Sequence, residues 1–307
     1  MRLTKNTDEL VASAYAAQNL PSIGTMDRWK AAAKGIAKRI IDVYFSAKCF
    51  LLRSLGIIDF SLPPNHILRR TSSLTIRHYY ESGLTTFMPI ATCAIAYGID
   101  LDKPIKVLDF ACGAGRQLLH LTRLFPKVQA HACDIRADAI DYLRIAYPNA
   151  NVYSNKFDPP LLYDDGTFDL IYSVSVFSHL SESDARLWLR ELHRVAKPGA
   201  ILCLTFNSYT SLSRSHETGK LHHVSADKLK EIGQFFDSDE AGFERKMALE
   251  LALGFGHPGM MRPTGDMYFS LERVRSVMEE SGFEFQAALP GVIDRFQDLA
   301  VIRRPQA

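Results

Sequence analysis

From about residue 105 onward, the chain alternates between short apolar runs and amphipathic helical patterns, and this alternation restricts the fold more than any other feature. The strand-like runs are residues 105–110, 128–133, 152–154, 168–174, 200–206 and 283–288, and the helical patterns are 116–125, 137–146, 183–196 and 271–281. Such alternation predicts a doubly wound α/β fold with a parallel sheet covered on both faces. Pro198 and Gly199 are expected to form a turn, and residues 299–303 an edge strand.

A glycine-containing loop at residues 111–115 joins the first predicted strand to its helix. Glycines let the backbone approach a ligand closely, and the helix N-terminus offers unpaired N–H groups to a carboxylate or a phosphate. Asp134 ends the next strand, 19 residues after Gly115, where a carboxylate can accept hydrogen bonds from a ribose. The pattern therefore predicts a site for a cofactor that contains a ribose.

A nicotinamide-dependent dehydrogenase is the main competing interpretation of this loop. Its fingerprint requires a third small residue where the helix packs on the strand, and the same spacing from Gly113 and Gly115 leads here to Leu118, which is bulky. A glycine loop alone is a weak signal. The choice between the two interpretations therefore depends on the motifs that follow the loop.

Five motifs in order along about 100 residues resemble those of class I S-adenosylmethionine-dependent methyltransferases. Within that family they resemble the domains called methyltransferase type 11 and type 25. The motifs are the glycine loop with its strand (107–116), Asp134-Ile135, and residues 165–171, 175–180 and 192–200. Residues 297–303 also resemble the antiparallel last strand of that fold. The resemblance implies a Rossmann-like, mainly parallel seven-stranded sheet, with S-adenosyl-L-methionine as cofactor.

The resemblance also implies which residues bind the cofactor. They are Tyr79, Tyr80, Asp109, Ala111, Cys112, Gly113, Gly115, Arg116, Asp134, Ile135, Asn155 and Ser175. Two positions depart from the family pattern. Ala111 replaces the first glycine of the loop, and Asn155 stands near the position where an acidic residue often contacts the adenine. For Tyr79 and Tyr80, filling of the aromatic core is the alternative.

Methyl transfer is an in-line displacement that needs alignment of donor and acceptor and no covalent enzyme intermediate. His179 follows the fourth strand and is the candidate base for a hydroxyl acceptor, because the unperturbed pKa of a histidine is about 6.5. The alternative is a histidine that packs beside the cofactor or caps the next helix. His216, His222, His223 and His257 lack the spacing of a metal site, so no metal is expected.

We expect a helical N-terminal region (1–100) and a methyltransferase domain (101–307) with an insertion at about 208–265 that covers the acceptor. A basic amphipathic helix at 34–55 either packs on the domain or lies on an anionic membrane surface. Five scattered cysteines fit a reducing compartment, so the expected location is cytoplasmic, with the inner membrane surface as the alternative.

The composition excludes some classes of partner. A formal net charge of +2 argues against a dedicated nucleic-acid-binding protein, and no apolar run reaches the roughly 18 residues of a membrane span. The favoured function is methylation of a small molecule or a glycan, at oxygen. The alternatives are a methyltransferase that acts on a lipid, a quinone or a secondary metabolite, and a non-catalytic binding module with the same fold.

Overall fold

The computed structural model describes residues 60–68, 76–208, 268–293 and 297–306. By its contacts the chain divides into residues 1–59 and 60–307, and every described residue belongs to the second unit. The amphipathic pattern at 34–55, most of the predicted insertion and the four histidines discussed as metal ligands lie outside the described residues. The domain boundary at residue 100 stays a prediction.

The described part of the chain contains six helices and eight strands. The helices are α1 (Asn65–Leu68), α2 (Ile76–Ala96), α3 (Arg116–Leu124), α4 (Ala137–Ala146), α5 (Glu182–Val195) and α6 (Leu271–Glu280). The strands are β1 (Lys106–Phe110), β2 (Gln129–Asp134), β3 (Asn151–Ser154), β4 (Phe168–Ser173), β5 (Ala196–Ser208), β6 (Tyr268–Phe269), β7 (Glu284–Ile293) and β8 (Gln297–Arg303). None of these helices is both long enough and apolar enough to cross a membrane.

Seven of the strands form one sheet in the order β3-β2-β1-β4-β5-β8-β7, and the two-residue β6 pairs with the end of β5. Strands β1 to β5 pair in parallel, whereas β8 runs antiparallel to both β5 and β7. This arrangement confirms the predicted Rossmann-like fold and its antiparallel last strand. The expected edge position of residues 299–303 is wrong, because β8 lies between β5 and β7 and is buried on both faces.

The expected turn at Pro198 and Gly199 lies inside β5. Pairing with β4 changes from Phe168 opposite Ala196 to Leu170 opposite Ile201, so extra residues of β5 are accommodated in a bulge. Gly199 has a φ of 80°, and its N–H donates to the carbonyl of Arg304 at 2.9 Å. The C-terminal residues therefore pair with this segment and keep it within the sheet.

Two apolar cores lie on opposite faces of the sheet. The α5 face is packed by side chains of α5 and α6, and the α3 face by side chains of α2, α3 and α4. Adjacent positions of a strand alternate between the faces: Leu108 belongs to the α5 face, and Val107 belongs to the α3 face. A strand buried on both faces normally holds only apolar side chains, and Asp109 within β1 is an exception.

Helix α5 shows how local sequence sets the ends of an element. Ser181 is its N-cap, and the Ser181 hydroxyl accepts a hydrogen bond from the N–H of Asp184 at 3.1 Å. Acidic side chains occupy its first turn, and His193 and Arg194 occupy its last turn, which complements the helix dipole at both ends. The helix therefore begins directly after the loop that follows β4, which contains several of the candidate site residues.

Candidate functional site

The candidate site lies at the edge of the sheet where the parallel strands end. At this edge β1 continues into the glycine loop, β2 ends at Asp134, and β3 continues to Asn155. Ligands of open α/β sheets bind at this edge, because the loops there leave room between the helices of the two faces. The fold thus places residues from three separate stretches of the sequence, 109–115, 134–135 and 155, at one edge of the sheet.

The glycine loop is held in an unusual backbone conformation. Ala111, Gly113 and Gly115 have φ values of 60°, 56° and 77°, so the chain turns through left-handed positions at every second residue. The N–H of Cys112 donates to the carbonyl of Cys133 at 2.9 Å, which ties the loop to the end of β2. The shape of the loop is therefore supported by a hydrogen bond within the chain itself.

Ala111→Gly is expected to stabilise the protein by about 0.5–1 kcal/mol. A left-handed conformation costs an alanine about 1–2 kcal/mol, and relief of that cost exceeds the entropy that a glycine adds to the unfolded chain. Urea unfolding of the variant tests this expectation. Ala114→Gly is the control within the loop and should destabilise, because the φ of Ala114 is not positive and its methyl group is buried. Stability loss in both variants would contradict the assignment of strain to Ala111.

Asp134 connects the glycine loop to the start of α4. Its Oδ2 accepts from the N–H of Gly113 at 2.8 Å, and its Oδ1 accepts from the N–H of Arg136 at 2.9 Å. The side chain is almost completely buried, and this burial raises its pKa, while the two backbone N–H donors act in the opposite direction. Since each carboxylate oxygen has a second lone pair, Asp134 can hold the loop and bind a hydroxyl group at the same time.

Asp109 is a buried carboxyl group with an unsatisfied oxygen. It is 2% exposed, and no hydrogen bond to its Oδ2 is present. Burial raises its pKa to about 7, the neighbouring Tyr172 hydroxyl acts to lower the pKa, and the negative charge of Asp134 acts to raise it. A buried carboxyl group without a full set of hydrogen bonds lowers the stability of the folded state. Such groups concentrate at functional sites.

Ile135 and Asn155 lie beyond Asp134 on the side of β3. Ile135 is 44% exposed, and Asn155 has a buried Oδ1 without a hydrogen-bond partner. The backbone N–H of Asn155 donates to the carbonyl of Asp134 at 3.1 Å, so the two segments are directly joined. An exposed apolar surface beside a free amide oxygen suits a flat heteroaromatic ring that carries an amino group.

Helix α2 packs directly on the glycine loop. Tyr79 is fully buried, and its hydroxyl donates to the carbonyl of Ala114 at 2.8 Å. Arg116 Nη1 donates to the hydroxyl of Ser82 at 3.0 Å. A Cβ added to Gly83 would lie 2.5 Å from the carbonyl oxygen of Arg116, so only a glycine allows this approach.

The sequence reasoning named Tyr79 and Tyr80 but missed the contribution of Ser82 and Gly83. Tyr79 reaches the backbone of the loop, whereas the Tyr80 ring packs against Phe60, with ring centroids 5.3 Å apart, and against His120 at 4.8 Å. The available signal was a glycine within a helical pattern, which often marks a close approach of two backbones. Contact of either tyrosine with a cofactor stays a prediction.

The loop after β4 is tied to β5 and β8. Ser175 has a φ of 59°, and its N–H donates to Thr205 Oγ1 at 2.7 Å. Its hydroxyl donates to Gln297 Oε1 at 2.8 Å, and Gln297 Nε2 donates to the hydroxyl of Ser178 at 3.0 Å. Gln297 is a further residue that sequence reasoning missed, since it is 122 positions away from Ser175.

His179 lies in the same loop and is half-buried. Its backbone N–H donates to the carbonyl of Val176 at 2.8 Å, so the residue closes a tight turn before α5. The position at the carboxyl edge agrees with the predicted one. A role in proton transfer stays a prediction. Among the described residues, no three His, Cys, Asp or Glu side chains form a group that could hold a metal ion.

Comparison with known proteins finds similarity to methyltransferases. Residues 107–199 match a family described as a methyltransferase domain. The chain is 26% identical over 159 residues to norajmaline N-methyltransferase of Rauvolfia serpentina, which covers 46% of this chain and 53% of that protein. It is 28% identical over 141 residues to malonyl-[acyl-carrier protein] O-methyltransferase of Dechloromonas aromatica, with 44% and 51% covered.

The chain spans about half the length of the curated relatives it matches. Among solved structures, a SAM-dependent methyltransferase from Methanosarcina mazei is similar with a TM-score of 0.50 at 15% identity. That match covers 71% of this chain and 98% of the other. At this level of identity the match shows the fold, and it agrees with the strand order described above.

Proposed function

We propose that the protein transfers the methyl group of S-adenosylmethionine to a small acceptor molecule. The premise is that this chain carries a class I S-adenosylmethionine-dependent methyltransferase domain. The observation that carries the proposal is the site at the carboxyl edge. A glycine loop there contains left-handed Ala111, is bonded to the buried carboxyl group of Asp134, and follows the buried carboxyl group of Asp109 in the chain. This arrangement is costly for the fold alone, and a bound cofactor explains it.

The residues of the site fit the chemical groups of S-adenosylmethionine. The unsatisfied Oδ2 of Asp109 can accept from an ammonium group, and the loop at the N-terminus of α3 can bind a carboxylate through its N–H groups. The remaining lone pairs of Asp134 suit the ribose hydroxyls. Ile135 offers an apolar surface to the adenine ring, and Asn155 Oδ1 can accept a hydrogen bond from its amino group.

When bound, S-adenosylmethionine supplies a methyl group on a positively charged sulfur, and this methyl group passes directly to a nucleophile. The protein contributes mainly by alignment, by exclusion of water and by the preorganised charges of the loop. Helix α2 covers the loop from the α3 face, and its Tyr79 contact with Ala114 keeps the loop in place. We assign the base for a hydroxyl acceptor to His179, on its position in the loop after β4.

The proposed acceptor is a small molecule or a glycan, with transfer to oxygen as the first expectation. The relatives named above methylate both nitrogen and oxygen, so the fold is compatible with either atom. A cavity of about 170 Å³ lies beside the end of β5, and its lining combines Phe206, Leu271, Ala288 and Pro290 with Ser208, Ser270 and Asp298. Because three of these seven residues are polar, the cavity does not favour an apolar acceptor over a glycan.

Asp134→Ala is expected to weaken binding of S-adenosylmethionine by about 1–3 kcal/mol, because it removes charge-assisted hydrogen bonds to the ribose and releases the N–H groups of Gly113 and Arg136. Isothermal titration calorimetry with S-adenosylmethionine and with S-adenosylhomocysteine measures the loss. Asp141→Ala is the matched control, since its carboxylate is exposed on α4 and should leave affinity unchanged. Equal affinity of Asp134→Ala and the wild type would reject the ribose assignment.

The same titration separates the proposed function from its competitors. A non-catalytic module with a degenerate site need not bind S-adenosylmethionine, and a dehydrogenase would bind NADH instead. Binding of NADH without binding of S-adenosylmethionine would overturn the proposal. Methyl transfer itself is then measured by mass spectrometry of acceptor mixtures incubated with the enzyme and S-adenosylmethionine.

A further inference from the structure

Asn207, near the end of β5, is a buried amide with an unsatisfied hydrogen-bond acceptor. The residue is 2% exposed, and its Oδ1 has no hydrogen-bond partner. Burial of an amide oxygen without a partner is unfavourable, and nearly all buried polar groups in folded proteins are paired. No part of the cofactor assignment above uses this residue, so its cost to the fold needs another explanation.

The strand pairing shows which way Asn207 points. Asp109 of β1 pairs with Tyr172 of β4, and Tyr172 pairs with Cys203 of β5, so these three side chains share the α3 face of the sheet. Asn207 is four positions beyond Cys203 on the same strand and projects from the same face. It therefore faces the side of the sheet on which Asp109 and the glycine loop also lie.

Residues near the end of β5 pair with other strands, and Gln297 on β8 has hydrogen-bond partners of its own. Phe206 pairs with Asp298 of β8, and Asn207 itself pairs with Tyr268 of β6. Gln297 is engaged with Ser175 at 2.8 Å and with Ser178 at 3.0 Å, as described above. Gln297, next to Asp298 on β8, is thus committed to the loop after β4, whereas the Asn207 carboxamide oxygen has no partner.

The strand order separates Asn207 from the cofactor residues. Asp134 and Asn155 follow β2 and β3, on one side of β1, whereas β4 and β5 lie on its other side. With neighbouring strands about 4.8 Å apart, the end of β5 is about 10 Å from the end of β1. The ribose and adenine groups proposed above extend toward β3, so the end of β5 is left for the second substrate.

We infer that Asn207 binds the methyl acceptor, and that its Oδ1 accepts a hydrogen bond from an N–H or O–H group of a neutral acceptor. This inference rests on the proposed methyltransferase function. The Asn207 carboxamide carries no charge, nor do Ser175, Ser178 and Gln297, and the carboxyl group on this face, Asp109, disfavours an anion. The inferred methyl acceptor is therefore an alcohol, a phenol, a neutral amine or an amide, and carboxylate acceptors are excluded.

The first test of the inference is the melting temperature of the Asn207→Leu variant. Leucine has the same number of side-chain heavy atoms, and replacement of an unsatisfied buried amide by an apolar group should raise the melting temperature by about 2–4 °C. Asn149→Leu, at an exposed position, is the control and should leave it unchanged. A lower melting temperature for Asn207→Leu would show that the amide stabilises the fold, and the inference would be wrong.

Ligand binding provides the second test. Saturation-transfer NMR on the protein with S-adenosylhomocysteine compares benzamide, a neutral N–H donor, with benzoate, an anion of the same shape. The wild type should bind benzamide preferentially, and Asn207→Leu should lose that preference while Asn149→Leu keeps it. Equal binding of the two probes, absence of binding, or an unchanged preference in Asn207→Leu would each overturn the inference.

Calorimetry with S-adenosylhomocysteine distinguishes failure of the Asn207 inference from failure of the proposed function. Asn207→Leu should bind it within about twofold of the wild type, because the inferred contact is to the acceptor. A tenfold loss would place Asn207 in the cofactor site and overturn the inference while the proposed function stands. Failure of the wild type to bind S-adenosylhomocysteine at all would instead reject the proposed function.

Discussion

Gly83→Ala is expected to destabilise the protein by about 2–3 kcal/mol, although alanine is the better helix former by about 1 kcal/mol. The added Cβ would lie 2.5 Å from the carbonyl oxygen of Arg116 and 3.1 Å from its carbonyl carbon. A backbone atom in the first turn of α3 cannot move away as a flexible side chain would. Helix α2 must therefore shift outward, which breaks the contact between the Tyr79 hydroxyl and the glycine loop.

Urea unfolding and calorimetry with S-adenosylhomocysteine measure the two consequences. Gly98→Ala is the control, because Gly98 also has no side chain and lies just after α2, but a Cβ there would meet nothing within 4 Å. Its cost should be limited to the left-handed conformation at a φ of 95° and should leave ligand affinity unchanged. A Gly83→Ala protein that is more stable than the wild type would show that α2 does not approach α3 closely.

Asp109→Asn is expected to stabilise the ligand-free protein at pH 8 by about 2–4 kcal/mol and to weaken cofactor binding. The pKa of Asp109 is raised from 3.8 to about 7 by burial. Between these two values the folded protein retains a proton that the unfolded chain has released, so the stability contributed by this group falls as the pH rises from about 4 to about 7. An asparagine carries no charge at any of these pH values and avoids the loss.

The gain from Asp109→Asn should therefore grow between pH 4 and pH 7 and level off above pH 7. Urea unfolding of the variant and the wild type over this range measures it, with Asp141→Asn as the control for the same substitution at an exposed position on α4. Calorimetry at pH 8 should show a loss of S-adenosylmethionine affinity in Asp109→Asn alone. A constant difference in stability across the pH range would contradict the raised pKa of Asp109.

Gly83→Ala and Asp109→Asn are expected to change the free energy of unfolding in opposite directions. Gly83 permits the packing that holds the glycine loop, whereas Asp109 opposes folding at neutral pH and is retained at the site of the proposed cofactor. Local destabilisation of this kind is found in proteins where binding requires a charged group that is shielded from water. Stability and ligand affinity should therefore fall together in Gly83→Ala and change in opposite directions in Asp109→Asn.

The sequence determined the elements and the centre of the site. Apolar periodicity and the position of glycines are local properties, so they predicted helix α4 at residues 137–146 and most other elements to within a few residues. The loop at 111–115 and Asp134 were also recognisable, because a glycine turn at a helix N-terminus and an acidic strand end are local patterns. The substitution of Ala111 for glycine was visible too, and the structure added that Ala111 adopts the left-handed conformation that a glycine there would favour.

Only the tertiary structure decided which distant groups meet. The internal position of β8, the approach of Gly83 to Arg116, the bond from Ser175 to Gln297 and the unsatisfied amide of Asn207 depend on contacts between residues far apart in the chain. Periodicity reports whether a side chain faces the interior, but it does not report which partner it finds there. A buried polar residue is satisfied or left free by the packing of other elements around it, and that packing is a property of the whole fold.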